Sequence, residues 1–192
     1  MLDNSLEEQA ALFASGALPT AEREWFAVVL EAFPEMRRLV RDFEEVSAYA
    51  TASHAREVSA RPSGSLRDRI LGLVGTQPRR RTAEGLVVTE PDGGVIWINN
   101  DFEQLCGYSL EEIKGRKLGH ILQGKLTDPA TAARMRNAVH ARQACRADLV
   151  NYKKSGEAYW VGVELAPVHD SEGRMRWYAA REWEVEGEPL AA

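Results

Sequence analysis

The hydrophobic period of the sequence changes near residue 84, and this change limits the folds open to the chain. Before it, apolar residues recur every three or four positions, as on one face of a helix. After it, apolar and polar residues alternate in short runs separated by turn residues, as in strands joined by hairpins. A helical segment followed by a mainly stranded one predicts an α+β protein.

The segment before the change predicts a small helical bundle. Ser5 and Glu8 form a capping-box pattern for a first helix, and Thr20 is the predicted N-cap of a second. Pro34 is expected to begin a third helix as a first-turn proline, and Ser65 to cap a fourth.

The segment after the change predicts two strands, a helical insert whose helices begin near Asn99, Ser109 and Asp128, and three longer strands. This order predicts a five-stranded antiparallel sheet with helices on one face and a pocket between the two layers. The predicted strands cover residues 86–89, 95–98, 145–152, 158–169 and 174–184.

A polar stretch that ends in three arginines separates the two segments, which predicts a linker between two domains. We therefore expect a helical bundle over residues 1–75, a linker over 76–83, the mixed domain over 84–186 and a short tail over 187–192.

Composition argues against several functional classes. The chain has 24 Lys and Arg against 29 Asp and Glu, a net charge of -5, and no basic segment that would indicate nucleic-acid binding. No apolar run approaches the ~18 residues that span a bilayer, and the N-terminus lacks a secretory pattern, so we expect a cytoplasmic protein. Cys106 and Cys145 do not form a metal-ligand spacing, so no metal site is expected. The sequence shows no nucleophile–base set, phosphate loop or kinase motif, so we predict that the chain is not an enzyme.

Several separated motifs in the second segment resemble the PAS family of sensory domains, and among its branches the flavin-binding LOV domains. The motifs are Asn99-x-x-Phe102, Cys106-Gly107-Tyr108-Ser109, Leu122-Gln123-Gly124 and Asn151-Tyr152-x-Lys154-x-Gly156. The resemblance covers about a hundred residues and implies a sensor of light, redox state or a ligand.

The resemblance also implies a set of cofactor contacts for FMN or FAD. Gln123 matches the glutamine that faces the ribityl and phosphate end, and Arg136 matches the arginine that pairs with the phosphate. Asn151 matches an asparagine that bonds the edge of the flavin ring. The resemblance therefore implies a flavin site built from these three side chains.

Other positions of this chain depart from the LOV pattern. Gly119 stands where those domains carry the photoactive cysteine, so no thioether bond to flavin is expected, and His120 replaces a phosphate-binding arginine. Val161 replaces a second ring-binding asparagine, and Glu182 replaces a signalling glutamine. If Glu182 points into an apolar pocket, its pKa should rise and the protonated acid should donate a hydrogen bond. If it points outward, it is an ordinary surface charge.

The N-terminal segment resembles a second family, the anti-sigma factors, over residues 8–22 (EQAALFASGALPTAE). In zinc-binding members, metal ligands stand where this chain has Val29, Phe33 and Met36. None of these three side chains binds zinc, so the resemblance implies a zinc-free domain.

Three functions remain open from the sequence. The first is a regulator in which the PAS domain senses a cue and controls helices that bind a sigma factor or similar protein. The second is a flavin-binding light or redox sensor whose helices serve for dimerisation. The third is a ligand-free interaction module whose homodimer interface includes Trp177, Tyr178 and Trp183.

Overall fold

The computed structural model describes residues 4–57 and 84–187, with side chains of the first range described as far as Tyr49. Five strands form one antiparallel sheet in the order β2-β1-β5-β4-β3. This sheet and the helices around it confirm the predicted α+β class. The strands are β1 (Gly85–Thr89), β2 (Val95–Ile98), β3 (Cys145–Tyr152), β4 (Ala158–His169) and β5 (Met175–Glu184).

Seven helices lie within the described ranges. None of those helices combines the length and apolarity needed to cross a membrane. The predicted fourth helix after Ser65 and the predicted linker fall outside the described residues. The helices are α1 (Asn4–Ser15), α2 (Thr20–Ala32), α3 (Pro34–Glu57), α4 (Asn100–Cys106), α5 (Leu110–Ile113), α6 (Gly119–Leu122) and α7 (Pro129–His140).

Helix caps near the sheet follow the sequence prediction. Asn99 Oδ1 accepts a hydrogen bond from the backbone N–H of Phe102 at 2.9 Å and thereby starts α4. Ser109 forms a capping box at the start of α5, as predicted, and Asp128 caps α7. These caps fix where the helical insert leaves and rejoins the sheet.

The predicted caps of α1 and α2 are wrong. Ser5 lies inside α1, and its hydroxyl bonds Asp170 and Arg174 of a distant hairpin instead of a helix end. Thr20 is the first residue of α2, and Pro19 occupies the cap position without a side-chain hydrogen bond. At Ser5, hydrogen bonds to residues distant in the chain are therefore formed in place of the predicted local cap.

Helices α4 to α7 cover one face of the sheet, which we call the inner face. Phe102 of α4 and Ile113 of α5 are fully buried there against Val87 of β1. Tyr178 of β5 also points inward, and its hydroxyl donates to the backbone carbonyl of Val139 in α7 at 2.9 Å. The inner face and its helices thus enclose the space in which a ligand would lie.

Helices α1 to α3 pack on the opposite, outer face of the same sheet. Phe26 and Met36 are buried in one cluster with Val88 and Trp177 of the sheet. The rings of Phe33 and Trp177 lie 5.0 Å apart between centroids. The N-terminal helices and the sheet therefore share a core and do not form separate cores.

A buried carboxylate in the β4–β5 hairpin fastens α1 to the sheet. The side chain of Asp170 is fully buried, and its Oδ2 accepts from Arg174 Nε at 2.9 Å and from Ser5 Oγ at 3.1 Å. Burial alone would raise the pKa of this carboxyl, but hydrogen bonds from Arg174 and Ser5 outweigh it and lower the pKa. A second bond, from Ser171 Oγ to Glu8 at 2.9 Å, lies beside it.

We predict that Asp170→Ala lowers the free energy of unfolding by about 1.5–3 kcal/mol, because a hydrogen-bonded charged group is lost. Chemical denaturation at pH 7 measures the loss. Since the folded-state pKa is depressed, the contribution is present above the ordinary aspartate pKa and disappears as pH falls through the folded value.

Glu172→Gln is the matched control for this prediction. Glu172 forms an exposed ion pair with the same Arg174 at 3.0 Å, and such pairs contribute about 0–1 kcal/mol. Equal losses in the free energy of unfolding would show that Asp170 stabilises the fold no more than an exposed ion pair does.

Candidate ligand-binding site

The alternation of β5 decides which side chains reach the space under the helices. Tyr178 and Glu182 belong to its inner face, whereas Trp177 and Arg181 face the outer helices. Glu182 pairs with Gly85 on β1 and Val163 on β4. It therefore sits in the middle of the sheet.

A cavity of about 60 Å³ lies between this part of the sheet and helices α6 and α7. Polar side chains from three elements reach it, and apolar side chains form the rest of its wall. The lining residues are Leu118, Gly119, Leu122, Gln123, Met135, Leu149, Asn151, Val163 and Glu182.

Four of the six residues singled out from the sequence meet at this cavity: Gly119, Gln123, Asn151 and Glu182. The other two, His120 and Arg136, are exposed and do not line it. Arg136 directly follows the cavity-lining Met135 on α7, but a helix turns by about 100° per residue, so the two neighbours face different directions.

Among the described residues, three buried polar atoms near the cavity have no hydrogen-bond partner: Asn151 Oδ1, Glu182 Oε2 and the hydroxyl of Tyr159. The three residues are only 4%, 4% and 3% exposed. Buried polar groups are nearly always paired, and an unpaired one costs about 1–3 kcal/mol. A ligand or ordered water that bonds these atoms would remove that cost.

Burial raises the pKa of Glu182 to about 8. The carboxyl is therefore mainly a neutral acid at pH 7, with a proton to donate. The sequence left two orientations of Glu182 open, and the structure has the inward one. Burial, followed by the charge of Glu182, also raises the pKa of Tyr159, so its phenol stays protonated.

Tyr159 and Met135 belong to the site region without having been singled out as site residues from the sequence. Tyr159 is the cross-strand partner of Asn151, so the register of β3 on β4 brings the two together. Strand alternation around Asn151 predicts this pairing once the hairpin is known. Met135 has no comparable signal, because only the packing angle of α7 directs it toward the cavity.

A second, wider groove of about 660 Å³ runs along α7 and the start of β3. Alanines form much of its wall, and Arg134 Nη1 bonds the carbonyl of Arg146 there at 3.0 Å. None of the orphaned buried atoms in the described part of the chain belongs to this groove. Residues 4–57 and 84–187 also contain no cluster of three His, Cys, Asp or Glu that could hold a metal. The inner cavity is therefore the candidate site.

The inner cavity fits a flavin in chemistry and must widen to admit one. Its apolar walls suit a ring face, and Asn151, Gln123 and Glu182 offer partners to the ring's polar atoms. Its volume of about 60 Å³ is well below the roughly 300–1,000 Å³ of ligand pockets. Met135 and Gln123 are unbranched side chains that can withdraw. Flavin binding thus requires α6 and α7 side chains to move apart.

Comparison with known proteins agrees with this architecture. The chain is 37% identical over 95 residues to the blue-light-activated histidine kinase of Brucella ovis, and 33% identical over 96 residues to blue-light-activated histidine kinase 1 of Erythrobacter litoralis. Each match covers 50% of this chain but only 19% and 26% of the relative. The chain therefore spans about a fifth to a quarter of these proteins.

Two solved structures resemble the fold. The light-state structure of the blue-light photoreceptor Aureochrome1 LOV matches with 31% identity and a TM-score of 0.51, over 53% of this chain and 81% of that one. The LOV domain of the Erythrobacter litoralis EL346 blue-light-activated histidine kinase matches with 26% identity and a TM-score of 0.50, over 54% and 96%. The sequence profile of the PAS domain matches residues 83–179, half of the chain. This chain belongs to the PAS domain family, and LOV domains are among its homologues.

Proposed function

We propose that this chain is a sensory protein whose PAS domain binds a flavin in the inner cavity and reports its state to the N-terminal helices. The observation that carries the proposal is the pair of buried, unpartnered oxygens on Asn151 and Glu182 at one cavity. The LOV homologues support the same ligand class. Bound flavin would supply blue-light absorption and reversible redox chemistry.

Different residues of the cavity would hold different parts of a flavin ring. Asn151 and the neutral acid of Glu182 would bond its polar edge, and Gln123, which directly follows α6, would bond a further polar group. Leu149 and Val163 of the sheet and Met135 of α7 would give the ring apolar contacts. Gly119 brings no sulfur to the site, so bound flavin is not expected to be linked covalently to the protein.

The route to the helices runs through adjacent residues of β5. Glu182 faces the cavity, and Arg181 faces α2, where its guanidinium lies 4.9 Å from the ring centroid of Trp25. Arg181 Nη2 also donates to the backbone carbonyl of Glu24 at 3.3 Å. A shift of the strand at Glu182 would therefore move the neighbouring Arg181 and its contacts with α2.

Purified protein and its reconstitution with riboflavin, FMN and FAD test the proposal. We expect flavin to be retained or taken up, with a shift in its visible absorption and fluorescence bands because the ring leaves water for a largely apolar site. Protein that is colourless and takes up none of the three flavins would refute it.

Arg136 is proposed to bind the FMN phosphate from the outer end of the site. Replacing Arg136 by Ala should weaken FMN binding by about 1.5–3 kcal/mol, the range for hydrogen bonds to charged groups, and leave riboflavin binding nearly unchanged. Titration of both ligands measures the difference. The exposed His120 is proposed to add a second contact to the phosphate.

The control for Arg136 is Arg134→Ala on the same helix. Arg134 supports the fold through its bond to Arg146, so its loss should affect FMN and riboflavin alike. If Arg136→Ala also weakens both ligands equally, Arg136 acts through the fold and the phosphate role is wrong.

The proposed output is the helical segment, with a sigma factor or similar regulator as its partner. The buried side chains of α1 to α3, among them Phe26, Val29 and Met36, are packed against each other and the sheet. A partner that uses these side chains must compete with the sheet. Pull-down of a co-encoded sigma factor, with and without ligand and light, tests this. Binding in neither condition would contradict it.

Homodimerisation through the sheet is a second proposed interaction. The three residues predicted for its interface differ in how accessible they are. Trp177 is covered by Phe33, and Tyr178 points into the inner core, so neither is open for pairing while the helices are docked. Trp183 remains partly exposed. Light scattering of the full chain measures the oligomeric state.

A further inference from the structure

We infer that Glu182 selects the ligand as a neutral carboxylic acid, holding an uncharged ring through a carbonyl or ring-nitrogen acceptor and releasing it when the carboxyl ionises. This inference rests on the proposed flavin site and adds its chemical selectivity and its control by pH.

The position of Glu182 leaves its Oε2 atom available to a ligand in the inner cavity. The residue is 4% exposed and lines the cavity, and its Oε2 has no hydrogen-bond partner within residues 4–57 and 84–187. Its cross-strand neighbours are Gly85 and Val163, whose side chains carry no donors. The carboxyl group of Glu182 is therefore left to hydrogen-bond a ligand that enters the inner cavity.

In the described part of the chain, the side chains that line the cavity with Glu182 include no cation to hold a negative charge. Lys153, whose Nζ lies 5.5 Å from the ring centroid of Tyr159, forms an ion pair with Glu157. Asn151 of β3, Tyr159 of β4 and Gln123 at the end of α6 are neutral, and Met135 of α7 is apolar. Cys106 of α4 stays a neutral thiol, since burial raises its pKa to about 11. The carboxylates that also act on these groups, Glu103 of α4 and Glu184 of β5, are of like charge.

Both states of the acid follow from this environment. Below about pH 8 Glu182 keeps its proton and donates to an acceptor on the ligand. Above that pH it becomes a buried anion that only accepts, and it repels the carbonyl oxygen or ring nitrogen that it held before. Once ionised, Glu182 also repels any ligand that brings an anionic group into the cavity.

The second orphaned oxygen narrows the ligand class further. Asn151 Oδ1 accepts and therefore requires an N–H on the ligand, whereas protonated Glu182 requires an acceptor. A ring with a neutral N–H beside carbonyl groups meets both needs. Flavins and pteridines have such an edge, and negatively charged aromatic acids do not.

Riboflavin is the probe for the test because it has no phosphate for Arg136 or His120 to bind. In the wild-type protein, its dissociation constant should be constant from pH 6 to about 7.5 and then rise up to tenfold per pH unit above pH 8. Glu182→Gln keeps the shape and the donor but cannot ionise, so its dissociation constant should stay flat. The same variant controls for ionisation of riboflavin itself.

A measurement on ligand-free protein separates this inference from the proposed function. Infrared spectra of the full chain at pH 6.5 should show a carboxylic-acid C=O band that disappears near pH 8 and is missing in Glu182→Gln. If riboflavin binds neither protein, the flavin proposal fails and this band still decides the state of Glu182. Absence of the band, or the same pH dependence of binding in both proteins, overturns the inference.

Discussion

Removal of residues 1–57 is expected to leave a domain that self-associates and unfolds more readily than the full chain. The removed helices cover Val88, Val168 and Trp177 on the outer face of the sheet. Each large apolar side chain returned to water loses about 1.5–3 kcal/mol of stabilisation. Exposed apolar sheet faces also favour pairing between copies. Light scattering and thermal unfolding measure the two effects.

The control makes the exposed face polar in the same fragment. Val88→Thr together with Trp177→Ser should shift the fragment toward the monomer, because two of the large apolar side chains that drive association are gone. A fragment that is monomeric without these changes, with the stability of the full chain, would mean that α1 to α3 are not part of the core of the PAS domain.

Light is expected to bleach the blue absorption of flavin bound to the Gly119→Cys variant, with recovery in the dark, whereas the wild-type protein should show no such cycle. Position 119 matches the photoactive cysteine of LOV domains and lines the inner cavity. The three atoms nearest to a Cβ added there belong to the side-chain amide of Gln123, at 3.4 Å, which is ordinary contact. The change therefore adds a thiol without displacing the backbone.

Gly119→Ser is the matched control, because it adds a side chain of similar size without sulfur and should leave the flavin unbleached. Cys106 is a poor alternative thiol, since it is fully buried on α4 and its pKa is raised to about 11 by burial. The wild-type flavin is expected to photoreduce without such an adduct. A reversible flavin–thiol adduct band in the wild-type protein would show that another thiol does this chemistry and that position 119 is not decisive.

The strands of the sheet were predictable because their signals are local. The bounds predicted for β2, β3 and β4 agree with the structure, and those of β1 and β5 differ by one residue. Alternating apolar residues and turn residues between them specify a strand without reference to the rest of the chain. The caps at Asn99 and Ser109 are local in the same sense, since donor and acceptor lie three residues apart.

The candidate site was predictable in part. Motif resemblance identified Gln123, Asn151 and Glu182, which line the cavity. The same reasoning also selected Arg136, which the structure leaves exposed, because a motif gives the position of a residue on a helix but not the rotation of that helix against the sheet. The phosphate role of Arg136 stays a prediction.

The sequence by itself determined the order of helices and strands, the PAS resemblance and the residue types available to the cavity, because these depend on neighbours in the chain. Tertiary structure alone decided that Glu182 points inward without a partner and that α1 to α3 cover the outer face. It also decided that the Ser5 hydroxyl, predicted to cap a helix, donates instead to Asp170, 165 residues away. Burial, pKa and orphaned oxygens are properties of such long-range packing, so they arise only when distant segments meet.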